Sequence, residues 1–404
     1  MAVERQYDVA VVGAGPAGIA AACAATRSGA EVCVIDDNPA PGGQIWRAVT
    51  DNPWLERFEH CGAELLSSTR VFGCTANRAL LAERSRETLE IRYRTLVLAT
   101  GARERFLPFP GWTLPHVFGA GGLQALVKGG WPIEGKKVVV AGSGPLQLAV
   151  AQYLRSRGAV VPVVCEQTGW RRIARFTQML ASHPGKLLQG AWLRARLVAS
   201  RYYFSCWPLR TEPGLVTLQQ RGKTWMEHCD YLACGFGLVP NAELAALLGC
   251  AIGDGAVVVN ERLETSVPGI YCAGEAIGIG GVECAINEGA AAGCYAAGLD
   301  ERAESLGPAR TKSRQLQAAM EHAFALRPEL RDLATTDTIV CRCEDVPLGR
   351  IREHGSWRGA KLQTRCGMGP CQGRVCGPAV EFLTGWRAES VRPPVAPVAL
   401  GRLI

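Results

Sequence analysis

The sequence lacks several features by which membrane, dithiol and nucleic-acid-binding proteins are recognised. No segment of about 20 uncharged apolar residues occurs, so no membrane span is expected. No Cys-x-x-Cys motif occurs, which excludes a catalytic dithiol of that spacing. The net charge is only +7 and no basic run is interleaved with aromatic residues, so nucleic acid is not expected as a partner.

Histidine is also scarce, with six residues scattered over 404. Neither a Ser/His/Asp nor a Cys/His arrangement is evident, and the sequence leaves the catalytic residues unassigned. His116 follows a proline-rich connection, and a solvent or interface role is the simpler interpretation of it. Redox chemistry on a bound cofactor needs a docked substrate more than an acid–base pair, so the scarcity does not exclude it.

The distribution of cysteine indicates a reducing compartment. Most of the 17 cysteines stand singly in apolar contexts, such as Cys33, Cys165 and Cys272, as expected of reduced, buried thiols. The first predicted strand starts by residue 7, which leaves no room for a signal peptide. We therefore expect a cytoplasmic protein, with peripheral association with the inner membrane as an open alternative.

A dinucleotide-binding βαβ unit is predicted at the start of the chain. An apolar strand over residues 7–12 precedes a Gly-x-Gly-x-x-Gly turn, and a small-residue helix leads to a second strand over 32–35. Gly13 allows the tight turn, Gly15 the approach of a pyrophosphate, and Gly18 close packing of helix on strand. An acid ending the second strand can accept a hydrogen bond from a ribose hydroxyl. The candidate nucleotide-binding residues are Gly13, Gly15, Pro16, Ala17, Gly18, Asp36 and Asp37.

Three later segments bring further cofactor candidates. A Pro/Gly-rich loop over 38–47 exposes backbone directly after the ribose-binding acid, and an ordinary turn is its alternative interpretation. Two apolar strands, over 96–102 and 265–275, end in Thr-Gly-Ala and Ala-Gly-Glu. The candidates in these segments are Gly43, Gln44, Arg47, Thr100, Gly101, Ala102, Gly274 and Glu275.

A second βαβ pattern begins at residue 137 but departs from the motif. Gly142 and Gly144 are followed by Gln147, which stands where the third glycine should be. Glu166 ends the next strand and would repel a 2′-phosphate, which argues against NADP. We expect this second site to be vestigial, or to hold some group other than NAD.

A cysteine cluster near the C-terminus predicts a metal centre. Five of the 17 cysteines lie within 36 residues, as a Cys-x-Cys pair and a second glycine-rich group. Two ligands from each group would supply the four thiolates of a 2Fe–2S cluster. A four-thiolate zinc site and disulfides or free thiols are the alternatives, although zinc sites more often separate paired cysteines by two to four residues. The cysteines are Cys341, Cys343, Cys366, Cys371 and Cys376.

Through the motifs above, the first 300 residues resemble the glutathione-reductase-like flavoproteins. The resemblance implies an α/β fold with two dinucleotide-binding domains and a small C-terminal α-rich 2Fe–2S domain. It implies FAD, or another adenine nucleotide, in the first site; most such flavoproteins carry Asp where this chain has Glu275. The expected division is a split FAD domain (1–112 and 255–300), a second NAD-binding-like domain (113–254), a linker helix (301–335), a ferredoxin-like domain (336–390) and an extended tail (391–404).

The C-terminal region resembles the small ferredoxin domain of the bacterioferritin-associated type. In that family the second cysteine pair follows a Gly-x-Gly stretch, here Gly367-Met368-Gly369. Four residues separate the second pair, Cys371 and Cys376, in this chain, whereas two residues usually separate that pair in the family. This match leaves Cys366 as a neighbour that is not a ligand. Whether Cys366 or Cys376 is the fourth ligand stays open. The resemblance implies the ligands Cys341, Cys343, Cys371 and Cys376.

Nearly the whole chain resembles the α subunit of heteromeric amino-acid dehydrogenases, a family that includes opine oxidases, hydrogen cyanide synthase and proline or hydroxyproline dehydrogenases. The segments that carry this resemblance include 108–112, 142–146 and 369–374. It implies an electron-transferring subunit whose substrate is oxidised at FAD in a separate β subunit. It further implies a hetero-oligomer, with a small third subunit, FMN at a subunit interface and a link to membrane or quinone as options.

Two other functions stay open at this point. One is a self-contained NAD(P)H:acceptor oxidoreductase, against which Gln147 and Glu166 count. The other is a non-catalytic structural partner subunit.

Two stretches receive no function from the sequence. The tail over 391–398 is extended by its prolines and could wrap a neighbouring subunit or be a loose terminus. The segment 170–230 is rich in aromatic and basic residues, for which core or interface is the default interpretation. These residues include Trp170, Arg171, Arg172, Trp192, Tyr202, Tyr203 and Trp207.

Overall fold

The structure is a computed structural model that describes residues 2–75, 78–85, 87–388 and 390–402. Contacts divide the chain into two units. Unit 1 comprises residues 1–103, 239–318 and 390–404, and unit 2 comprises 104–238 and 319–389. Unit 1 is discontinuous in sequence, with breaks at 103 and 239, whereas the split domain predicted from the sequence has its breaks at 112 and 255. The finer five-part division stays a prediction.

The strands are β1 (Val3–Val12), β2 (Val32–Ile35), β3 (Glu64–Leu66), β4 (Thr69–Cys74), β5 (Ala79–Arg84), β6 (Glu87–Leu98), β7 (Ala102–Glu104), β8 (Val117–Gly119), β9 (Val138–Gly142), β10 (Val163–Glu166), β11 (Arg201–Phe204), β12 (Cys206–Glu212), β13 (Leu215–Gln220), β14 (Lys223–His228), β15 (Tyr231–Gly235), β16 (Leu238–Pro240), β17 (Ile252–Gly253), β18 (Ala256–Val257), β19 (Ile270–Cys272), β20 (Ile339–Cys341) and β21 (Val346–Pro347).

The helices are α1 (Pro16–Ala25), α2 (Pro53–Glu59), α3 (Ala120–Lys128), α4 (Leu146–Ser156), α5 (Trp170–Met179), α6 (Pro184–Arg196), α7 (Glu243–Leu247), α8 (Gly281–Ala296), α9 (Asp300–Ser305), α10 (Gly307–Ala323), α11 (Leu348–Arg352), α12 (Trp357–Thr364) and α13 (Cys376–Thr384). Over the described residues, no helix combines the length and apolar character needed to cross a membrane.

The sheet of unit 1 has the strand order β3-β2-β1-β6-β5-β4, with β19 paired to β6. β1 runs parallel to both β2 and β6, with Val9 opposite Val32 and Val12 opposite Leu98. Alternate residues of β1 belong to two different hydrophobic clusters. Val9 and Val11 pack in one cluster, and Ala10 and Val12 pack in the other. Both faces of the strand are thus covered over residues 9–12, which is why that part of its sequence is continuously apolar, whereas its first four residues are exposed.

Helix α8 packs on α1 at backbone contact distance. A Cβ at Gly289 would lie 2.1 Å from the carbonyl oxygen of Ala17, and one at Gly293 would lie 2.1 Å from that of Ala21. Only glycine fits at these two positions. The small residues of α1 and α8 are therefore required by helix packing, and they hold α8 against the first glycine turn.

Unit 2 contains a parallel sheet with the order β11-β10-β9-β15-β8 and a separate antiparallel sheet, β12-β13-β14. β9 and β10 are the two strands of the predicted second βαβ pattern, and they pair directly. The short helices α11, α12 and α13 and the β20–β21 hairpin surround a further core that includes three of the five clustered cysteines. The expected α/β fold with an α-rich cysteine region is confirmed.

The C-terminal tail is packed against its own unit. The backbone N–H of Val395 donates to the carbonyl of Phe72 on β4 at 2.8 Å. The Val395 side chain is buried in one of the two clusters of the unit 1 sheet. The tail is therefore attached to its own unit at Val395.

Candidate functional site

The three glycines of the first turn have different surroundings. Gly13 has a φ of +105°, and a Cβ there would lie 2.3 Å from the carbonyl oxygen of Ala99. A Cβ at Gly18 would lie 1.7 Å from the carbonyl oxygen of Gly13. A Cβ at Gly15 would meet nothing within 4 Å. Gly13 and Gly18 are thus required by packing, whereas Gly15 faces open space, where a phosphate would approach.

Several predicted site residues of unit 1 line one cavity. The first turn of α8 adds residues to this lining that sequence reasoning did not single out, although the glycine run before the helix signals them. Burial raises the pKa of the Glu275 carboxyl at the cavity wall. The lining residues are the predicted Gly15, Pro16, Ala17, Gly101 and Glu275, together with Ile45, Ala99, Ala273, Gly281, Val282 and Ala285.

Asp36 is already engaged by the chain itself. Its Oδ2 accepts a hydrogen bond from the N–H of Ala14 at 2.5 Å, inside the glycine turn. Its Oδ1 accepts from the backbone and side-chain N–H groups of Asn38, both at 2.8 Å. Arg47 in turn donates to the side-chain oxygen of Asn38 at 2.9 Å. The carboxylate therefore braces the turn, and a ribose contact, which stays a prediction, would use its remaining lone pairs.

The loop after Asp36 lies against the glycine turn. The N–H of Gly42 donates to the carbonyl of Ala14 at 2.7 Å, and a Cβ at Gly43 would lie 3.0 Å from the Cα of Gly15. Gln44 is exposed, as is Asp37, which lies 3.6 Å from Arg70. This placement brings the Gly42-Gly43 backbone to the candidate phosphate position, while Gln44 and Asp37 remain at the surface.

Two further polar groups hold the strand ends that meet at this cavity. Thr100 donates to the carbonyl of Asn241 at 2.7 Å, and the Asn241 amide donates back to the Thr100 carbonyl at 2.9 Å. The buried Glu288 accepts from the N–H of Gly274 at 3.1 Å and from Arg314 at 3.2 Å. Burial raises the Glu288 pKa, opposed by the Arg314 charge. Sequence reasoning missed both pairs, because their partners are far apart along the chain.

The second glycine turn is also bonded by an acidic side chain, but at a different backbone N–H from the one that Asp36 bonds in the first turn. Glu166 Oε2 accepts from the N–H of Gly144 at 2.9 Å and Oε1 from that of Thr168 at 2.8 Å. The side chain is fully buried, which raises its pKa to about 7. Gln147 is buried too, and its amide atoms have no partner among the described residues. The N–H that should face a phosphate is thus taken by a carboxyl group.

Residues 324–327, here named the strap, cover this second turn. The carbonyl of Phe324 accepts from the Ser143 hydroxyl at 3.0 Å, and a Cβ at Gly144 would lie 3.9 Å from the Phe324 ring. The Gln167 amide donates to the carbonyls of Phe324 and Ala325 at 3.4 and 3.3 Å. Its oxygen accepts from the N–H of Arg327 at 3.2 Å. The strap is therefore bonded directly to the second turn and covers it.

Three cysteines form a compact thiol group in unit 2. The Sγ atoms of Cys341, Cys366 and Cys376 all lie within 4.8 Å of one another, and all three residues are buried. Hydrogen bonds from Cys366 and Cys376 hold the pKa of Cys341 far below its usual range. A hydrogen bond from Cys376 likewise lowers the pKa of Cys371 to about 5. The hydrogen bonds to Cys341 conversely raise the pKa values of Cys366 and Cys376. Within the thiol group the thiolate, the form in which cysteine binds metal, is therefore favoured at Cys341.

The four predicted cluster ligands line one cavity of about 340 Å³. They are joined there by Phe106, Trp112, Arg342 and Val375. Cys366 does not line the cavity but lies within the thiol group, so its role stays open. The four ligands that line the cavity are Cys341, Cys343, Cys371 and Cys376.

The two cysteine segments approach closely because glycines without a Cβ stand between the cysteines and tryptophan rings pack beside them. A Cβ at Gly369 would lie 2.3 Å from the Cβ of Cys343. Gly367 has a φ of +79°, and a Cβ there would lie 2.9 Å from the Trp357 ring. The Trp112 indole donates to the carbonyl of Ile339 at 2.5 Å, beside the Cys-x-Cys pair. Glycines between the cysteines are thus required for the two segments to meet.

His116 has an ordinary structural partner. Its Nε2 lies 2.9 Å from the Thr211 hydroxyl, and burial lowers its pKa. The neutral imidazole is therefore favoured. This contact explains the residue without a catalytic role.

Comparisons with known proteins place this chain among redox subunits. The family model described as pyridine nucleotide-disulphide oxidoreductase matches residues 7–289. The A subunit of opine oxidase from Rhizobium meliloti (strain 1021) is 32% identical, with 98% of each chain covered. The HcnB subunit of hydrogen cyanide synthase from Pseudomonas aeruginosa is 31% identical, with 91% of this chain and 90% of the relative covered.

A solved structure extends the likeness of fold to the full chain. L-proline dehydrogenase from P. horikoshii matches with a TM-score of 0.71 and 20% identity, covering 100% of this chain and 80% of that one. The glutathione-reductase-like flavoprotein fold and the resemblance to heteromeric amino-acid dehydrogenase subunits are both confirmed. The chain belongs to the pyridine nucleotide-disulphide oxidoreductase family, and its relatives there include the A subunit of opine oxidase and HcnB.

Proposed function

We propose that this chain is the electron-transferring subunit of a heteromeric amino-acid dehydrogenase, one that acts on an imino acid, an opine or a related amino acid. It holds an adenine nucleotide, FAD in the leading form, in unit 1 and a 2Fe–2S cluster in unit 2. The observation that carries the proposal is the cavity lined by Cys341, Cys343, Cys371 and Cys376. Four thiolates around one cavity match the ligand set of such a cluster.

The cysteine donors fit an iron–sulfur cluster better than zinc. Paired zinc cysteines are usually separated by two to four residues, but only one residue separates Cys341 from Cys343. The four residues between Cys371 and Cys376 fit either metal, so the preference for iron rests on the first pair. A bound cluster would supply one-electron chemistry. The chain's own contribution is to supply thiolates, to exclude bulk water with Phe106 and Trp112, and to place the Arg342 charge at the cavity.

The first glycine turn fits an adenine nucleotide. Gly15 leaves open space at the start of α1, and the helix N-terminus offers N–H groups to a diphosphate. A flavin there would supply hydride or one-electron chemistry. The residues proposed to hold it are Gly13, Gly15, Pro16, Ala17, Gly18, Asp36, Gly43, Gly101, Gly274 and Glu275, with Arg47, Thr100 and Ala102 supporting them and Asp37 and Gln44 at the rim.

The substrate is proposed to react elsewhere. Relatives named as subunits of opine oxidase and hydrogen cyanide synthase support a hetero-oligomer in which a β subunit binds FAD and oxidises the amine. FMN at the subunit interface and a small third subunit belong to the same proposal. The chain described here then relays electrons from that subunit to an acceptor.

The self-contained NAD(P)H oxidoreductase is the weaker candidate. It requires a nucleotide on the second glycine turn, where Glu166 occupies the Gly144 N–H and the strap covers the loop. These contacts favour the relay function, with unit 2 serving the cysteine site.

The experiment is to co-express the chain with its substrate-oxidising subunit and purify the complex anaerobically. Addition of the amino-acid substrate should reduce the iron–sulfur chromophore of this chain within the turnover time. NADH and a dye, added to the isolated chain, should give no rapid dye reduction. Fast reduction by NADH would overturn the relay function, and an unresponsive chromophore in an active complex would favour a non-catalytic structural subunit.

A further inference from the structure

We propose that helices α5 and α6 form a docking surface for an anionic lipid bilayer. The inference concerns a surface of unit 2 and holds whichever cofactors the chain binds. It starts from poor burial. Helix α6 spans 13 residues and buries none of them, and α5 buries only Phe176. A helix that gains so little from packing on its own protein needs another reason to be amphipathic.

The charge of this segment has one sign. Residues 170–198 contain six Lys and Arg residues and no Asp or Glu. The remainder of the chain mixes both signs, since its 37 acidic residues nearly balance its 38 basic ones. Clusters of four to eight basic residues on amphipathic helices are typical of segments that bind anionic lipid headgroups. Those of this segment are Arg171, Arg172, Arg175, Lys186, Arg194 and Arg196.

Large apolar side chains stand exposed among these charges. On α6 the outward positions Leu188 and Trp192 are 70% and 49% exposed, one helical turn apart. Ala191 and Ala195 extend the same exposed stripe, while Leu187 and Leu193 face inward. Three more exposed apolar residues flank the stripe in the same segment: Trp170, Met179 and Val198.

Both exposed indoles of α5 and α6 are paired with a guanidinium. Arg171 lies over the Trp170 ring at 5.6 Å, and Arg196 lies over the Trp192 ring at 4.8 Å. Indole rings settle at the headgroup level of a bilayer, and a neighbouring guanidinium can bind the lipid phosphate bidentately. The pairs therefore combine the two groups that an anionic membrane surface selects.

The charge pattern favours lipid over a protein partner. The core of a protein interface is depleted of charged residues, and its charges are concentrated at the rim. Here cations and exposed apolar side chains occur together on both helices, which suits a planar surface of uniform negative charge. The same helices would otherwise leave an unusual density of exposed tryptophan and leucine in water.

The test is sedimentation of the full-length purified chain with vesicles at near-physiological salt. One set contains phosphatidylcholine with 30% phosphatidylglycerol (about one anionic lipid in three, a composition chosen for its negative surface potential), and the other contains phosphatidylcholine alone. The apolar variant is L188S/W192S, and the charge variant is R171Q/R175Q/R196Q. Each test variant has a matched control elsewhere in the chain. W131S removes an exposed tryptophan and is the control for the apolar variant, and R210Q/R221Q/R302Q removes three exposed arginines and is the control for the charge variant. Thermal unfolding of every variant checks that its fold is intact.

The proposal predicts binding to the anionic vesicles only. Both α5–α6 variants should bind at least about tenfold more weakly, since each basic residue near an anionic surface contributes measurably to binding. The control variants should bind like the parent, within about twofold. Equal binding to both vesicle types, absence of binding, or undiminished binding by the variants would overturn the proposal. So would variants that keep vesicle binding but lose the co-expressed substrate-oxidising subunit, because the surface would then be a protein interface.

Discussion

The carboxylate of Glu166 accepts a hydrogen bond from the backbone N–H of Gly144 at 2.9 Å. In the first turn the corresponding bond runs from Ala14 to Asp36, one residue earlier. Glutamate is one methylene longer, and it reaches the glycine that would otherwise face a phosphate. The two turns thus share one motif, but in the second turn the Gly144 N–H, which could bind an anion, already donates to the Glu166 carboxylate of the same chain.

This arrangement predicts that NADH does not bind to the second turn. Isothermal titration of the chain with NADH should show no saturable binding up to about 1 mM, the upper end of usual substrate constants. The Q167A variant removes the contacts of Gln167 to the strap but should leave Glu166 in place. It should therefore also show no saturable NADH binding. Stoichiometric NADH binding that is lost in G144A would contradict the prediction.

The buried Glu166 also predicts a pH dependence of stability. Because its pKa is raised to about 7 in the folded chain, the folded state holds a proton that the unfolded state releases at lower pH. This stabilisation is complete below the unfolded pKa and is lost as pH rises toward 7. Relative to E166Q, the unfolding free energy of the parent should fall by about 3 kcal/mol across that window.

Equilibrium urea unfolding of both proteins between pH 4.5 and 8 measures this difference, with E301Q, at an exposed carboxyl of α9, as control. A difference that does not change with pH would show that Glu166 is not protonated in the fold.

The glycines of the first turn separate packing from ligand binding. G18A should lower the melting temperature strongly, because its methyl would lie 1.7 Å from the Gly13 carbonyl oxygen. G15A should leave the melting temperature of the nucleotide-free protein within about 2 °C, since nothing lies within 4 Å. It should nevertheless weaken adenine-nucleotide binding at least about tenfold, because the methyl enters the phosphate position. Unaltered binding by a folded G15A chain would refute the site.

The cysteine variants test which four thiols hold the cluster. C343A and C371A should each lose most of the bound iron, because both residues line the cavity. C366A should keep it, since Cys366 lies in the thiol group but not on the cavity wall. Iron content per chain is the measurement. Loss of iron in C366A together with its retention in C371A would exchange the two residues as ligands.

Much of the first unit could be predicted from sequence because local chemistry determines it. The strand over 32–35 is apolar throughout and ends at an acid, and the structure gives the same limits. Gly13 and Gly18 are recognisable because no other residue fits their surroundings. The Ala-Gly-Glu strand end likewise brought Glu275 to the cavity lined by Gly15.

What escaped prediction depends on contacts between distant residues. The strap lies about 180 residues beyond the turn it covers, and nothing in its sequence signals that placement. Asn38 was missed as the partner of Asp36, although an amide two residues after an acid is a usual local hydrogen-bonding pattern. The nearness of Cys366 to Cys341 and Cys376 arises from chain folding around Gly367, not from residue spacing.

The central claim is that this chain carries an iron–sulfur cluster in a relay. The most direct measurement is EPR spectroscopy of the anaerobically purified, dithionite-reduced protein, combined with metal analysis. We predict about two iron atoms per chain and the spin-½ signal of a reduced 2Fe–2S cluster, both absent from C343A/C371A. One zinc atom per chain and no EPR signal would contradict the account, since the cysteines would then form a structural site without redox function.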